Sequence, residues 1–200
     1  MKRSNFIFAA SIGSIALVWV IPVVYFSVSN PEIDWDWKSI NTSDIHFPSS
    51  FAWGTATAAH QVEGNNTNNN WHQWEHSVDE NNISRIHNND KSGIAADHWN
   101  RYPEDIRLMN KLGVDHYRFS IEWSKIEPEN GIFDIEAIQH YRDLCDSLLK
   151  NNITPVVTLH HFTHPIWFEN IGAFEKRKNI DHFIKYSEYA FNNLKDLVQI

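Results

Sequence analysis

The sequence predicts an α/β fold of parallel strands joined by helices. Short β-rich apolar runs alternate along the chain with longer stretches whose apolar residues recur at helical spacing, an order that calls for parallel strands with helical crossovers. A doubly wound sheet satisfies the same alternation, but no Gly-x-Gly-x-x-Gly follows the first strand, which weakens a dinucleotide-binding reading. Polar and aromatic residues gather just beyond each strand instead, the end at which a (β/α)8 barrel places its chemistry. A complete barrel takes about 250 residues. The 200-residue chain therefore has room for three βα units and the start of strand four. The predicted architecture is an incomplete (β/α)8 TIM barrel preceded by an N-terminal transmembrane helix.

Three segments are expected: a signal anchor over 1–29, a linker over 30–46 and the barrel part over 47–200. Lys2 and Arg3 precede an uncharged run from Phe6 to Val28. As a helix that run is long enough to cross a hydrocarbon core of roughly 30 Å, and it is longer than the apolar region of a cleaved signal peptide. The basic flank, set against Glu32, Asp34 and Asp36 on the other side, predicts a single-pass membrane protein. Its N-terminus is expected in the cytoplasm and the remainder on the far side. Secretion after signal cleavage is the alternative. Residues 30–46 are polar and acidic, as a linker should be. N-x-Ser/Thr sequons begin at Asn41, Asn65, Asn82 and Asn152, as chance allows in a sequence this rich in Asn.

From Phe51 to Ala56 the chain reads as a short buried strand, and the Asn-, His- and Ser-rich stretch 64–92 reads as a long loop. A helix is expected over 97–112, with Ile106, Met109 and Leu112 at helical spacing and Gly113 as its stop. Asp115 to Ile121 reads as the second strand. Residues 134–151 read as a helix that buries Ile138, Tyr141, Cys145, Leu148 and Leu149. Thr154 to Leu159 is the third strand. Ile180 to Leu194 is a helix whose apolar side holds Phe183, Ile184, Tyr186, Ala190, Phe191 and Leu194. Leu197 to Ile200 looks like the opening of a fourth strand.

Seventeen basic against 25 acidic side chains leave a net charge of −8. Nucleic acid is therefore not expected as a partner, because phosphate binding needs a basic face. Cys145 is the only cysteine, so no intrachain disulfide can form, and it reads as a small core residue. No cofactor is expected. His160, His161 and His164 invite a metal reading, but adjacent residues on a strand face opposite ways, so His160 and His161 do not readily share one ion. No metal site is expected.

Candidate chemistry sits just beyond the strands. Gln61, with an amide acceptor and two donors, can satisfy two adjacent hydroxyls at once or, as its spacing alone favours, the backbone groups of a loop. His161 can donate to one hydroxyl while a neighbour fixes its other ring nitrogen. Arg118, on a barrel-lining strand, needs a carboxylate partner, with Glu122 the local candidate.

Phe47-Pro48-Ser49-Ser50-Phe51-Ala52-Trp53-Gly54-Thr55-Ala56-Thr57-Ala58-Ala59-His60-Gln61-Val62-Glu63-Gly64 resembles the N-terminal signature of glycoside hydrolase family 1, the β-glucosidase-like enzymes. Asp97 to Asp105 resembles the first barrel helix of that family, and Tyr117-Arg118-Phe119-Ser120-Ile121-Glu122-Trp123 its second strand. The resemblance runs from about Phe47 to Ile200. It implies hydrolysis of O-glycosyl bonds with retention, a β-glycoside sugar as substrate, and Gln61 and His161 as glycone contacts. Phe162 stands where the family usually has Trp, and Thr163-His164-Pro165 stands where it has Asp-Leu-Pro. Arg118 is implied to support the catalytic nucleophile. Gln61, Arg118 and His161 are then expected to converge on one sugar-sized hollow. Glu63 and Glu122 match no catalytic position and read as structural.

A retaining glycosidase works with two carboxyl groups about 5–5.5 Å apart. In the family these come from strands four and seven, so both are expected beyond Ile200 and none of the residues present is a catalytic acid, base or nucleophile. The chain alone is expected to be inactive. A non-catalytic, membrane-tethered carbohydrate-binding or receptor module on the same fold is the rival reading.

Overall fold

The computed structural model describes residues 18–31, 36, 38–39 and 41–198. The chain forms two compact units, Met1–Ser49 and Ser50–Ile200.

In the first unit residues 18–29 are helical and Thr42–Asp44 forms a 3-10 turn. Asn41 caps that turn by accepting from the Ser43 N–H at 3.0 Å. Among the described residues no helix is long and apolar enough to cross a membrane. The helical stretch 18–29 rises only about 18 Å at 1.5 Å per residue, against roughly 30 Å of hydrocarbon. The expected transmembrane anchor thus finds no support. Residues 6–17 of the apolar run and the basic flank Lys2-Arg3 lie outside the described residues.

The second unit contains β1 (Gly54–Ala56), α1 (Ala59–Val62), α2 (Asn70–Glu75), α3 (His98–Leu112), β2 (His116–Ser120), α4 (Trp123–Ile126), α5 (Ile135–Lys150), β3 (Thr154–Thr158), α6 (Ile166–Asn170) and α7 (Ile180–Leu194). The strands form one parallel sheet in the order β1-β2-β3. Gly54, His116 and Thr154 stand at one level of the ladder, and Ala56, Arg118 and Val156 two residues further along.

Alternation along β2 separates two faces. Tyr117 and Phe119 are buried against the helical layer, while Arg118 is exposed on the opposite face. The core joins these two rings to Ile106 and Met109 of α3, to Ile138, Tyr141, Leu144, Cys145 and Leu148 of α5, to Trp123, and to Tyr186, Ala190 and Leu194 of α7. Two local devices fix the helix boundaries. Asp134 caps α5 by accepting from the N–H groups of Glu136 (2.8 Å) and Ala137 (3.1 Å). Gly113 ends α3 in the left-handed region at φ 78°, a conformation that costs glycine nothing.

The structure corrects several expectations. Leu112 is 68% exposed, because the αL cap at Gly113 turns the chain away before the last turn meets the sheet. On α5 the buried stripe takes Leu144 in place of Leu149, and on α7 Ile184 and Phe191 are exposed. Each helix rests on the sheet along a narrower stripe than its apolar residues span. The stretch 64–92 is not all loop: it contains α2, capped by Asn69, whose Oδ1 accepts from the His72 N–H at 2.8 Å. Leu197 and Val198 form a turn closed by N–H groups donating to the Leu194 carbonyl at 2.9 and 3.2 Å, and not a strand. Gln199 and Ile200 lie outside the described residues.

Candidate active site

Three parallel strands place their C-terminal ends along one edge, and the segments leaving that edge carry most of the candidate residues. After β1 the chain enters α1 at once. The Ala59 N–H donates to the Ser120 Oγ of β2 at 2.7 Å, which ties the exit of one strand to the end of the next. Gln61 is exposed on α1.

The segment beyond β3 is held by α2. The Asn70 N–H donates to the His164 carbonyl (3.1 Å), the His164 N–H donates to Asn70 Oδ1 (3.0 Å), and Asn70 Nδ2 donates to the Phe162 carbonyl (3.3 Å). Phe162 adopts φ 67°, a left-handed conformation unusual for an aromatic residue. This turn leaves its ring 61% exposed. The ring lies parallel to Trp71, with centroids 5.8 Å apart and planes at 10°. His161 meets Phe162 edge-on at 5.0 Å.

A cavity of about 760 Å³ opens beside this stack, its wall including His60, Gln61, Trp71, Trp74, Glu75 and Glu169. Gln61 and Trp71 therefore share one hollow, and Phe162 adjoins it through the stack. His161 and Arg118 are not on its wall. Arg118 stands between Ala56 and Val156 on the exposed face of the sheet, and among the described residues it has no ion-pair partner. The local pairing with Glu122 does not form, because Glu122 points to the interior.

Glu63 and Glu122 are both buried behind the strand ends. Tyr141 donates its hydroxyl proton to Glu63 Oε1 at 2.6 Å, and Lys125 Nζ lies 3.0 Å from Glu63 Oε2. Glu122 accepts from Ser124 Oγ at 2.7 Å and Thr163 Oγ1 at 2.9 Å. Asn66 Nδ2 lies between the two carboxyls, 3.2 Å from Glu63 and 3.5 Å from Glu122. Burial pushes the Glu122 carboxyl above its ordinary value and the nearby Glu63 charge adds to this, while the hydrogen bonds from Ser124 and Thr163 oppose it. Both oxygens of each residue are engaged by the protein's own donors, an arrangement that braces the strand ends.

His160 is packed among His164, Phe174 and Phe183. Burial, then the neighbouring His164 and His161, hold it down at about 4. It is neutral at pH 7. His164 is tied through Nε2 to Glu169 Oε2 at 2.6 Å. Among the described residues, His160, His161 and His164 do not form a three-residue ligand group.

Asn70, Trp71 and Trp74 escaped the sequence reading because the surrounding Asn-rich run looks like a loop. The signal was present as two tryptophans three apart behind an Asn cap, the spacing of neighbours on a helix.

A three-stranded parallel β/α sheet with amide, imidazole and aromatic groups beyond its C-terminal strand ends defines the class: a β/α fold of the barrel type. Residues 43–200 match the family model described as Glycosyl hydrolase family 1, and the chain belongs to that family. It is 39% identical over 164 residues to beta-glucosidase A of Acetivibrio thermocellus, covering 79% of this chain and 36% of that protein. Its identity to the human cytosolic beta-glucosidase is 34% over 160 residues, covering 76% of this chain and 33% of the relative. Among solved structures, the family 1 β-glucosidase from Thermotoga maritima superposes with a TM-score of 0.72 at 37% identity, covering 76% of this chain and 35% of that one. The β-glycosidase BGL167 superposes with 0.70 at 42% identity, covering 77% and 36%. The chain spans about a third of the length of these relatives.

Proposed function

We propose that residues 47–200 supply the sugar-binding side of a β-glucosidase-like, retaining β-glycoside hydrolase. The observation that carries this reading is the cavity at the C-terminal edge of the sheet. There Gln61 offers amide donors and an acceptor, and Trp71, stacked on Phe162, offers a flat apolar wall. Sugar rings present hydroxyls at their edges and C–H groups on their faces, and this pairing answers both. His161, beside Phe162, is the further hydroxyl contact. Arg118 is assigned the support of a carboxylate that the rest of a barrel would bring to the open face of β2.

The chain by itself is proposed to be inactive. Glycoside cleavage with retention takes a nucleophilic carboxylate and an acid/base carboxyl facing one anomeric carbon. The buried carboxyls nearest the strand ends, Glu63 and Glu122, are engaged by Tyr141, Lys125, Asn66, Ser124 and Thr163. Purified chain incubated with an aryl β-glucoside should release no aglycone above background; measurable turnover that Glu63→Gln or Glu122→Gln abolishes would overturn the proposal. The part after residue 30 is further proposed to lie outside the cytoplasm. Protection from externally added protease in intact cells would count against that placement.

A further inference from the structure

A second cluster of reactive side chains follows Trp71 on α2; it shares Glu75 with the cavity wall, but no residue of it is given a sugar contact above. His72, Glu75 and the capping residue His76 sit at positions i, i+3 and i+4, which puts them on one face of α2. One ligand atom from each lies within 4.8 Å of the others.

The surroundings orient these groups as outer partners do at a metal centre. His76 Nδ1 lies 2.8 Å from the His72 carbonyl. A carbonyl only accepts, so Nδ1 carries the proton and Nε2 is left with its lone pair. The Glu75 carboxylate is buried and fixed by Ser92, whose N–H donates to Oε2 at 3.0 Å and whose hydroxyl donates to Oε1 at 2.8 Å. Asn69 accepts from the His72 N–H through Oδ1, so its Nδ2 donates to His60 Nδ1 at 3.0 Å. That bond puts the His60 proton on Nε2, 3.8 Å from Glu75 Oε2. With its proton on the side of the carboxylate, His60 offers no lone pair there and is not a fourth ligand.

We propose that His72, Glu75 and His76 bind one divalent transition-metal ion of the zinc type, with three protein ligands and an open fourth position. Two imidazoles and one carboxylate are a donor set that zinc accepts in this geometry. Ligands about 2.0–2.1 Å from the ion stand roughly 3.3 Å apart in a tetrahedron, so donors that lie within 4.8 Å of one another must close by up to about 1.5 Å. The His76 side chain is 45% exposed and free to turn toward the ion, exchanging its Nδ1 bond to the His72 carbonyl for a metal bond. The bound ion would pin the turn that carries Trp71 and Trp74.

The test is calorimetric titration of zinc chloride into the 200-residue chain, prepared without a histidine tag, stripped with a chelator and held at pH 7.5 in a non-coordinating buffer. The expected result is one equivalent bound with a micromolar Kd. His76→Gln and His72→Gln should each weaken binding at least tenfold, while His87→Gln on the exposed 3-10 turn should change nothing. His76 is at the surface, so circular dichroism of His76→Gln should match the parent, and that variant decides the matter if His72→Gln fails to fold. Absence of stoichiometric binding, or binding that His76→Gln leaves intact, overturns the site.

Discussion

The indole of Trp71 lies parallel to the phenyl ring of Phe162 across 91 positions of sequence, with centroids 5.8 Å apart. Neither ring is in the core. The contact exists because Asn70 binds the chain on both sides of His164, which fastens the first turn of α2 to the segment after β3. Aromatic pairs contribute about 0.5–1.5 kcal/mol beyond area burial. A double-mutant cycle with Trp71→Ala and Phe162→Ala, read by urea unfolding, should therefore give a coupling energy of about 1 kcal/mol. A value indistinguishable from zero would mean that the two rings are merely adjacent.

Tyr141→Phe should destabilise the fold well beyond its size. Its hydroxyl donates to Glu63 at 2.6 Å and accepts from the Glu122 N–H at 2.8 Å. Removing it strands a buried carboxylate oxygen and a buried amide, at a cost of about 2–3 kcal/mol. Urea midpoints of the two proteins check this, and a shift worth less than about half a kcal/mol would show that water or a rearranged Lys125 replaces the hydroxyl.

Glu122 should give the protein a stability component that declines with rising pH. Its folded-state value is raised, chiefly by burial, so the native state holds the proton more tightly than the unfolded chain does. The resulting stabilisation is complete below the ordinary carboxylate value and is lost as pH rises through the higher native one. Subtracting the pH profile of Glu122→Gln from that of the parent isolates the effect, since carboxyls such as Asp115 and Asp196 are lowered and slope the other way. A flat difference from pH 4 to 8 would refute it.

His160 acts with the opposite sign. Burial holds it at about 4 against an ordinary 6.5, so the native state favours the neutral ring. Its contribution is fully present above pH 6.5 and is lost as pH falls toward 4. The parent should lose stability over that window more steeply than His160→Phe, which cannot titrate there. NMR of the His160 ring protons supplies the direct check: an inflection near 6.5 in the folded protein contradicts the account.

Removing the α5 cap by Asp134→Ala should cost about 1 kcal/mol, because two N–H groups lose their acceptor. Thermal denaturation followed at 222 nm measures it, and an unchanged midpoint would show that solvent caps the helix as well as Asp134 does.

The sequence by itself determined the order of the three strands and three longer helices, since hydrophobic periodicity and the stop at Gly113 are local signals. It also pointed to Gln61, His161, Phe162 and Arg118 through short motifs that survive without long-range information. Only the tertiary structure decided which apolar residues are covered. Leu112, Leu149, Ile184 and Phe191 fit their helical stripes but lie beyond the width of the surface each helix meets. Tertiary contact also made α2 a helix within an Asn-rich run, because its stability comes from docking on the segment after β3 and not from propensity. The same docking set Trp71 on Phe162. Arg118 lies on the open face of the sheet while its neighbour Glu122 is buried, a separation that the packing behind the strand ends decides. Periodicity reports which side of an element is apolar; what that side meets depends on chain packing that no local window contains.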